Sequence, residues 1–173
     1  IPASILAHVN TLMLRPEDEF LPDLERLRAM VKPNTKLIAL TNPNNPTGAL
    51  IEQPMLEAIV DIADSAGAYV LCDEVYRGTG QTGDGKSPSM ADLYDKGIST
   101  AGMSKTFSLA GLRVGWVVAP PEVTEAILIH RDYDTISVGM INDHFAAIAI
   151  ESADQILARS RDITRTNLAV LEE

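Results

Sequence analysis

The run Ala68-Tyr69-Val70-Leu71-Cys72-Asp73 decides the fold of this chain, because it is almost wholly apolar and ends in a carboxylate. An apolar run of this length is typical of a strand that is buried on both faces of a parallel sheet. A helix is predicted immediately before it, over residues 53–66, where Pro54 suits the first turn and Gly67 follows the end. A helix followed by a buried strand is a unit from which α/β layered domains are built.

The same alternation continues on both sides of this run. Upstream, a β-leaning segment at 9–14 precedes a predicted helix over 22–31 and a predicted strand over 36–41. Downstream, strands are predicted near 98–103 and 113–119, followed by helices over 121–131 and 143–173, the last of them broken in two. This order of elements predicts an α/β domain with a mostly parallel sheet.

Composition restricts the partners and the compartment. The 173 residues include 14 basic and 24 acidic side chains, for a net charge of −10, so we expect no binding of nucleic acid or of an anionic membrane. The single Cys72 cannot form an internal disulfide, which indicates a reducing compartment. No leader opens the chain and no apolar run approaches the roughly 20 residues that span a bilayer, so we expect a cytoplasmic protein. His8, His130 and His144 are too dispersed to predict a metal site.

Three segments carry side chains that suit one cofactor. In parallel sheets ligands bind at the carboxyl ends of the strands, and Asn45 and Asp73 both follow predicted strands. In the third segment Lys105 lies between hydroxyl residues, upstream of Arg113. A lysine amine forms a Schiff base with an aldehyde once its charge is suppressed, and an arginine fork clamps a phosphate. The sequence therefore predicts a site that holds an aldehyde cofactor by its carbon and by its phosphate.

Each of these residues also has an ordinary interpretation. Lys105 could be a surface lysine, Asp73 a cap or surface acid at a strand end, and Asn45 a turn residue. Tyr76 could be a packed core side chain. Glu74, next to Asp73, could be the carboxylate of the site in its place. The Asp-x-x-Tyr spacing favours Asp73 over Glu74. For Lys105, Asn45 and Tyr76, the residues alone do not decide between a structural role and a role in the site.

Together, the segments at 42–48, 73–76 and 104–115 resemble the pyridoxal-phosphate (PLP) aminotransferases of fold type I, class I and II. They read Asn-Pro-Asn-Asn-Pro-Thr-Gly, Asp-Glu-Val-Tyr and Ser-Lys-Thr-Phe-Ser-Leu-Ala-Gly-Leu-Arg-Val-Gly. They occur in the family's order, and the similarity extends from about residue 24 to residue 131. The resemblance implies a three-layer α/β/α large domain, PLP as cofactor, amino-acid and keto-acid substrates, and a homodimer.

The resemblance also implies roles at the ring of the cofactor. Lys105 would hold PLP as a Schiff base and carry the α-proton, and we expect it to be buried. Asp73 would pair with the protonated ring nitrogen and preserve the ring as an electron sink. Tyr76 and Asn45 would both donate hydrogen bonds to the ring oxygen. Tyrosine at this position favours the aminotransferases over the related acyl-CoA-condensing synthases, which carry histidine there.

The phosphate end departs from the family's usual pattern. Ser104 and Arg113 would bind the phosphate, but many relatives carry Ser or Thr three residues before the lysine, where this chain has Gly102. The run at 139–145 is similar to an arginine-modifying subgroup that includes capreomycidine synthase-like enzymes. These two features support a second candidate function, the PLP-dependent elimination, cyclisation or oxidation of an arginine-derived amino acid.

Two further candidate functions have less support from the sequence. Residues 80–87 match a P-loop expression and residues 78–83 match G-x-G-x-x-G, but the preceding strand ends early and Pro88 disfavours a helix at Ser87. We therefore predict a flexible surface loop, or a lid near the cofactor, at this position. A PLP-binding sensor domain of a transcription regulator would need a basic winged-helix segment, which this acidic chain does not show.

The resemblance covers only part of a complete fold type I enzyme. An upstream glycine-containing phosphate turn, a ring-stacking aromatic and a downstream small domain are not identifiable here. The arginine that binds the substrate carboxylate is expected beyond residue 173. We therefore predict that residues 1–173 are the central part of the PLP-binding large domain, with a helical region at about 143–173 that leads toward the small domain.

Overall fold

A four-stranded sheet confirms the predicted α/β fold. The computed structural model describes residues 7–171 of the chain. Its strands are β1 (Leu37–Thr41), β2 (Tyr69–Asp73), β3 (Gly97–Gly102) and β4 (Gly115–Val118), adjacent in that order. The pairs β1–β2 and β2–β3 are parallel, and β4 runs antiparallel to β3. The sheet is therefore mostly parallel, as the sequence predicts.

Helices connect and follow these strands. They are α1 (Leu24–Met30), α2 (Gln53–Asp64), α3 (Met90–Leu93), α4 (Pro121–Arg131), α5 (Met140–Glu151) and α6 (Ala153–Leu171). α1 begins at the cap residue Asp23, whose carboxylate accepts a hydrogen bond of 3.0 Å from the backbone N–H of Arg26. Two short 3-10 turns lie at Pro16–Asp18 and Ala110–Leu112. Among the helices described, none is both long enough and apolar enough to cross a membrane.

The larger part of the core lies between one face of the sheet and the helices α1, α2 and α3. α2 buries one side of its surface at helical spacing, through Leu56, Ile59, Ile62 and Ala63. These side chains pack with Val70 and Cys72, which alternate along β2 and so share one face of the sheet. A second cluster joins the segment after β3 to α5 through Met103, Ala146 and Ala149. This second cluster supports the turn that carries Lys105.

Two details differ from the sequence-based prediction. The strand predicted at 9–14 was wrong: the backbone there is irregular, and Val9 and Met13 are 55% and 63% exposed. A strand needs a neighbour to pair its N–H and C=O groups, and no described strand offers one to this segment. The C-terminal helical region begins at Met140 rather than near 143, and it divides at Ser152 in agreement with the predicted break. Its last residues, 172 and 173, lie outside the described residues.

Candidate active site

The residues of the candidate site meet at the edge where the parallel strands end. Asn42 follows β1, Asp73 is the last residue of β2, and the turn with Lys105 follows β3. Asp73 is in register with Thr41 on one side and with Thr100 on the other. The carboxyl ends of parallel strands share one edge, so residues distant in sequence converge there.

Asp73 and Glu74 are neighbours with different environments. Asp73 is half-buried, and its Oδ1 accepts hydrogen bonds from the backbone N–H of Val75 at 3.2 Å and from Thr100 Oγ1 at 3.4 Å. No described residue donates to its second oxygen. Glu74 is 5% exposed, and its Oε1 accepts bonds from Met90 N and Ser99 Oγ, both at 2.7 Å. Glu74 therefore fixes the start of α3, while Asp73 keeps an oxygen for another partner.

Tyr76 and Asn45 line the same groove. One side of this groove is the loop at 43–48, the other side is residues 79–81, and Tyr76 completes the lining. Its volume is about 330 Å³. Asn45 is exposed, and no described residue accepts or donates a hydrogen bond at its side chain, whereas Asn42 is buried and bonded to Ile51. The asparagines of this short motif thus differ: Asn42 supports the backbone, whereas Asn44 and Asn45 line the groove.

Lys105 lies beside Tyr76. Its Nζ is 5.9 Å from the centre of the Tyr76 ring, near the outer limit for a cation–π contact. No ion pair joins Lys105 to a carboxylate of the described residues. The expectation that Lys105 is buried is not met, because its side chain is exposed and accessible to solvent.

Two hydroxyl groups hold the backbone around Lys105. Thr106 is buried, and its Oγ1 donates a bond of 2.7 Å to the carbonyl of Val75, close to Asp73 and Tyr76. Ser160, on α6, donates a bond of 2.8 Å to the carbonyl of Thr106. The sequence shows a hydroxyl next to the lysine, but it gives no signal that Ser160, 54 residues away, is its partner. The lysine turn is thus tied both to the end of β2 and to α6.

Ser104 and Arg113 are also brought together. Nη1 of Arg113 donates to Ser104 Oγ at 3.3 Å and to the carbonyl of Ala110 at 2.9 Å. Arg113 ends a 3-10 turn with a φ of 52°, a left-handed conformation that is uncommon outside glycine. No described residue accepts a hydrogen bond from Nε or Nη2 of Arg113, so these donors remain for an anion.

Gly102 has a steric reason to lack a side chain. A Cβ atom at this position would lie 3.0 Å from the carbonyl oxygen of Val114 and 3.2 Å from Cα of Gly115. Strands β3 and β4 approach each other closely here, so a serine or threonine would need the neighbouring backbone to shift by a few tenths of an ångström. The local packing therefore favours glycine over the hydroxyl residue that many relatives carry.

The glycine-rich segment does not form a nucleotide site. The nearest following helix, α3, begins only at Met90, so no helix N-terminus follows Ser87. Lys86 points to α6 and forms an exposed ion pair of 3.0 Å with Asp154.

In residues 7–171, no group of three potential ligands could hold a metal ion. Burial raises the pKa of the Cys72 thiol to about 12, and the charge of Glu74 adds to this effect.

Comparison with known proteins gives consistent matches. The family model described as "Aminotransferase class I and II" matches residues 6–167. The chain is 33% identical to a capreomycidine synthase from Streptomyces vinaceus over 144 residues, which are 83% of this chain and 37% of that protein. It is 30% identical to an aspartate/prephenate aminotransferase from Thermus thermophilus over 177 residues, covering 96% of this chain and 45% of that protein. It spans less than half the length of these relatives.

A solved structure extends the comparison to three dimensions. The crystal structure of a PLP-dependent aminotransferase from Streptococcus suis superposes with a TM-score of 0.93 at 43% sequence identity. The match covers 99% of this chain and 45% of that one. This similarity confirms the predicted fold type I class.

Proposed function

Because the chain belongs to the aminotransferase class I and II family, we propose that the full-length protein is a PLP-dependent aminotransferase that acts on an amino acid and a keto acid. Members of this family use PLP. When bound, PLP supplies an electron sink that weakens the bonds at the α-carbon of an amino acid. In this proposal residues 1–173 form the central part of the PLP-binding large domain, and other residues complete the site.

The observation that carries the proposal is the position of Lys105 beside Tyr76, at the edge where β1, β2 and β3 end. Its Nζ lies 5.9 Å from the Tyr76 ring centre and has no carboxylate partner among the described residues. A lysine that attaches an aldehyde needs an amine that no ion pair engages. The same amine would carry the proton that leaves the α-carbon of the substrate.

The ring end of PLP fits the polar atoms that remain available at this edge. The second oxygen of Asp73 would accept a hydrogen bond from the protonated ring nitrogen, since Oδ1 is already bonded to Val75 and Thr100. The Tyr76 hydroxyl and the Asn45 amide line one groove and would both donate to the ring oxygen. These atoms match the donors and acceptors of the cofactor ring in kind.

The phosphate end fits the pair formed by Ser104 and Arg113. A hydroxyl and a guanidinium group 3.3 Å apart provide two different donors to one phosphate. Gly102 adds no hydroxyl, because a side chain there would meet the carbonyl of Val114. We therefore propose that the remaining phosphate donors come from residues outside the described part of the chain.

Product analysis tests the reaction type. The full-length protein, loaded with PLP, would be incubated with a panel of amino acids and keto acids. We expect a keto acid from the donor and an aminated acceptor in equal amounts, and we expect neither from Lys105→Ala. Release of ammonia or a cyclised product without an acceptor would instead support elimination or cyclisation. PLP binding without turnover of any amino acid would contradict the proposal and favour a sensor role.

We also propose that the full-length protein is a cytoplasmic homodimer. Six large apolar side chains on α5 and the segment before it are more than half exposed: Tyr133, Ile136, Met140, Ile141, Phe145 and Ile150. Exposed apolar side chains in such number on one region are typical of protein interfaces. The reduced, buried Cys72 suits a reducing compartment. Sedimentation of the full-length protein would measure the assembly, and a monomer at micromolar concentration would contradict the dimer.

A further inference from the structure

We propose that Arg165, on α6, is a positioning residue for the substrate end of the site. It holds the glycine-rich loop at 78–85 as one wall of the groove that Asn45 and Tyr76 share. This inference rests on the proposed aminotransferase function, and it adds a residue that none of the three sequence motifs contains.

The Arg165 guanidinium group forms an unusual contact with the loop. Its Nη2 donates hydrogen bonds to three backbone carbonyls, those of Gly80 at 2.7 Å and of Thr82 and Gly83 at 3.0 Å each. Hydrogen bonds from a charged donor are stronger than those between neutral groups. One side chain thus forms hydrogen bonds with three carbonyls that lie 82 to 85 residues earlier in the sequence.

The loop needs such an anchor because of its composition. Within residues 78–85 glycine occupies positions 78, 80, 83 and 85. Glycine loses more conformational freedom on ordering than any other residue, so a loop of this kind has a high entropic cost of adopting one shape. Internal hydrogen bonds from Gly80 N to the Gly85 carbonyl and from Gly85 N to the Thr82 carbonyl shape the turn but do not attach it to the domain.

α6 presents a continuous face to the loop. Asp154 pairs with Lys86, Leu157 lies against Gly78, and Arg161 donates to the Gly78 carbonyl at 3.4 Å. Together with Arg165, these residues recur at helical spacing and so lie on one side of α6. The contact between α6 and the loop therefore involves several residues of the helix, and Arg165 makes the largest number of its hydrogen bonds.

The loop that Arg165 holds forms part of the groove wall. The side of the groove that faces the loop with Asn45 is formed by three residues of the glycine-rich segment, Thr79, Gly80 and Gln81. Its lining includes neither Lys105 nor the Ser104–Arg113 pair. The wall that Arg165 fixes is therefore on the side of Asn45 and Tyr76 and not at the proposed phosphate position. In this proposal an amino-acid substrate enters on that side. Arg165 would set the substrate fit without contacting cofactor or substrate.

The test compares two Arg165 variants with a matched control in the full-length protein. Arg165→Gln removes the charged donor, Arg165→Lys keeps one charged donor atom on a side chain of different shape, and Arg159→Gln changes an exposed arginine of the same helix. Hydrogen exchange of the amides at 78–86 reports the loop, borohydride fixation of PLP reports cofactor attachment, and the KM and kcat of an amino-acid donor report the site. Thermal unfolding shows whether each variant is folded.

We expect Arg165→Gln to speed exchange at 78–86 and to raise KM roughly tenfold with a smaller change in kcat, since a displaced wall misplaces the substrate. Arg165→Lys should be intermediate, Arg159→Gln unchanged, and PLP attachment equal in all three. Unchanged exchange in both Arg165 variants would overturn the anchor. Faster exchange with unchanged KM would overturn its role in the site. If the wild type bound PLP but turned over no amino acid, the proposed function would fail, and exchange alone would still decide whether Arg165 holds the loop.

Discussion

Replacing Asn42, to which no contact with the cofactor is assigned, should destabilise the protein. Asn42 is 1% exposed, and its side chain bridges two groups of one residue. It accepts a hydrogen bond of 2.9 Å from the N–H of Ile51 and donates one of 3.0 Å to the carbonyl of Ile51. These bonds close the base of the loop that carries Asn45 and fix the residues before α2. In Asn42→Ala both Ile51 groups lose their partner in a place that water does not reach.

The magnitude follows from the two bonds. Leaving a buried N–H or C=O unsatisfied costs about 1–3 kcal/mol each, so the expected loss of stability is about 2–6 kcal/mol. A value of about 3 kcal/mol, in the lower half of this range, corresponds to a factor of roughly 150 in an opening equilibrium. This is a large part of the about 5–15 kcal/mol by which a typical domain is stable. The loss should appear first around Ile51, since the loop can open there without unfolding α2.

Two measurements on the full-length protein test this prediction. Hydrogen exchange at Ile51 and its neighbours should be faster by about two orders of magnitude in Asn42→Ala, because the rate depends exponentially on the free energy of local opening. The midpoint of thermal unfolding should fall clearly. Asn45→Ala is the matched control, because its side chain is exposed and bonded to no described residue, and it should leave both quantities unchanged. Equal exchange and equal thermal midpoints in the two variants would refute the reasoning.

Two further predictions concern the glycine-rich loop and the buried thiol. Gly85→Ala should destabilise the loop more than Gly83→Ala: both positions have positive φ, but a Cβ at Gly85 would lie 2.6 Å from Cδ of Arg161, whereas nothing lies within 4 Å of one at Gly83. Hydrogen exchange at 78–86 would measure the difference, and equal effects would contradict the predicted clash. Cys72 should resist thiol reagents at pH 8 in the folded protein, because burial raises its pKa to about 12 and only the thiolate reacts. Mass spectrometry of the Cys72 peptide with and without denaturant checks this, and rapid labelling of the native protein would contradict it.

The sequence was sufficient for the elements with strong local patterns. The apolar run before Asp73 and the helix before it are predicted within two residues, because a buried strand and an amphipathic helix each have a distinct period. The segment at 9–14 has a β-leaning composition but pairs with no described strand. Strand formation depends on a partner that local sequence does not reveal.

The site shows the same limit at the level of single residues. Asp73 and Glu74 are adjacent acids, of which the Asp-x-x-Tyr spacing favours Asp73, but only the packing of α3 shows that Glu74 is bonded to Met90 and Ser99. Two contacts join residues that are more than 50 positions apart in the sequence. Ser160 bonds to the turn that carries Lys105, and Arg165 bonds to the glycine-rich loop. No periodicity predicts such contacts. The roles of Lys105 and its neighbours toward PLP stay predictions of the motifs.

Peptide mapping after borohydride reduction tests the central claim most directly. The full-length protein would be loaded with PLP, reduced, digested and analysed by mass spectrometry, beside Lys105→Ala. Lys86 and Lys96 serve as internal comparisons, because they bond to Asp154 and to the carbonyl of Gly67 respectively. We predict that the PLP mass is found on the peptide with Lys105 and is lost in the variant. A PLP mass on Lys86 or Lys96, or one that persists in Lys105→Ala, would contradict the account.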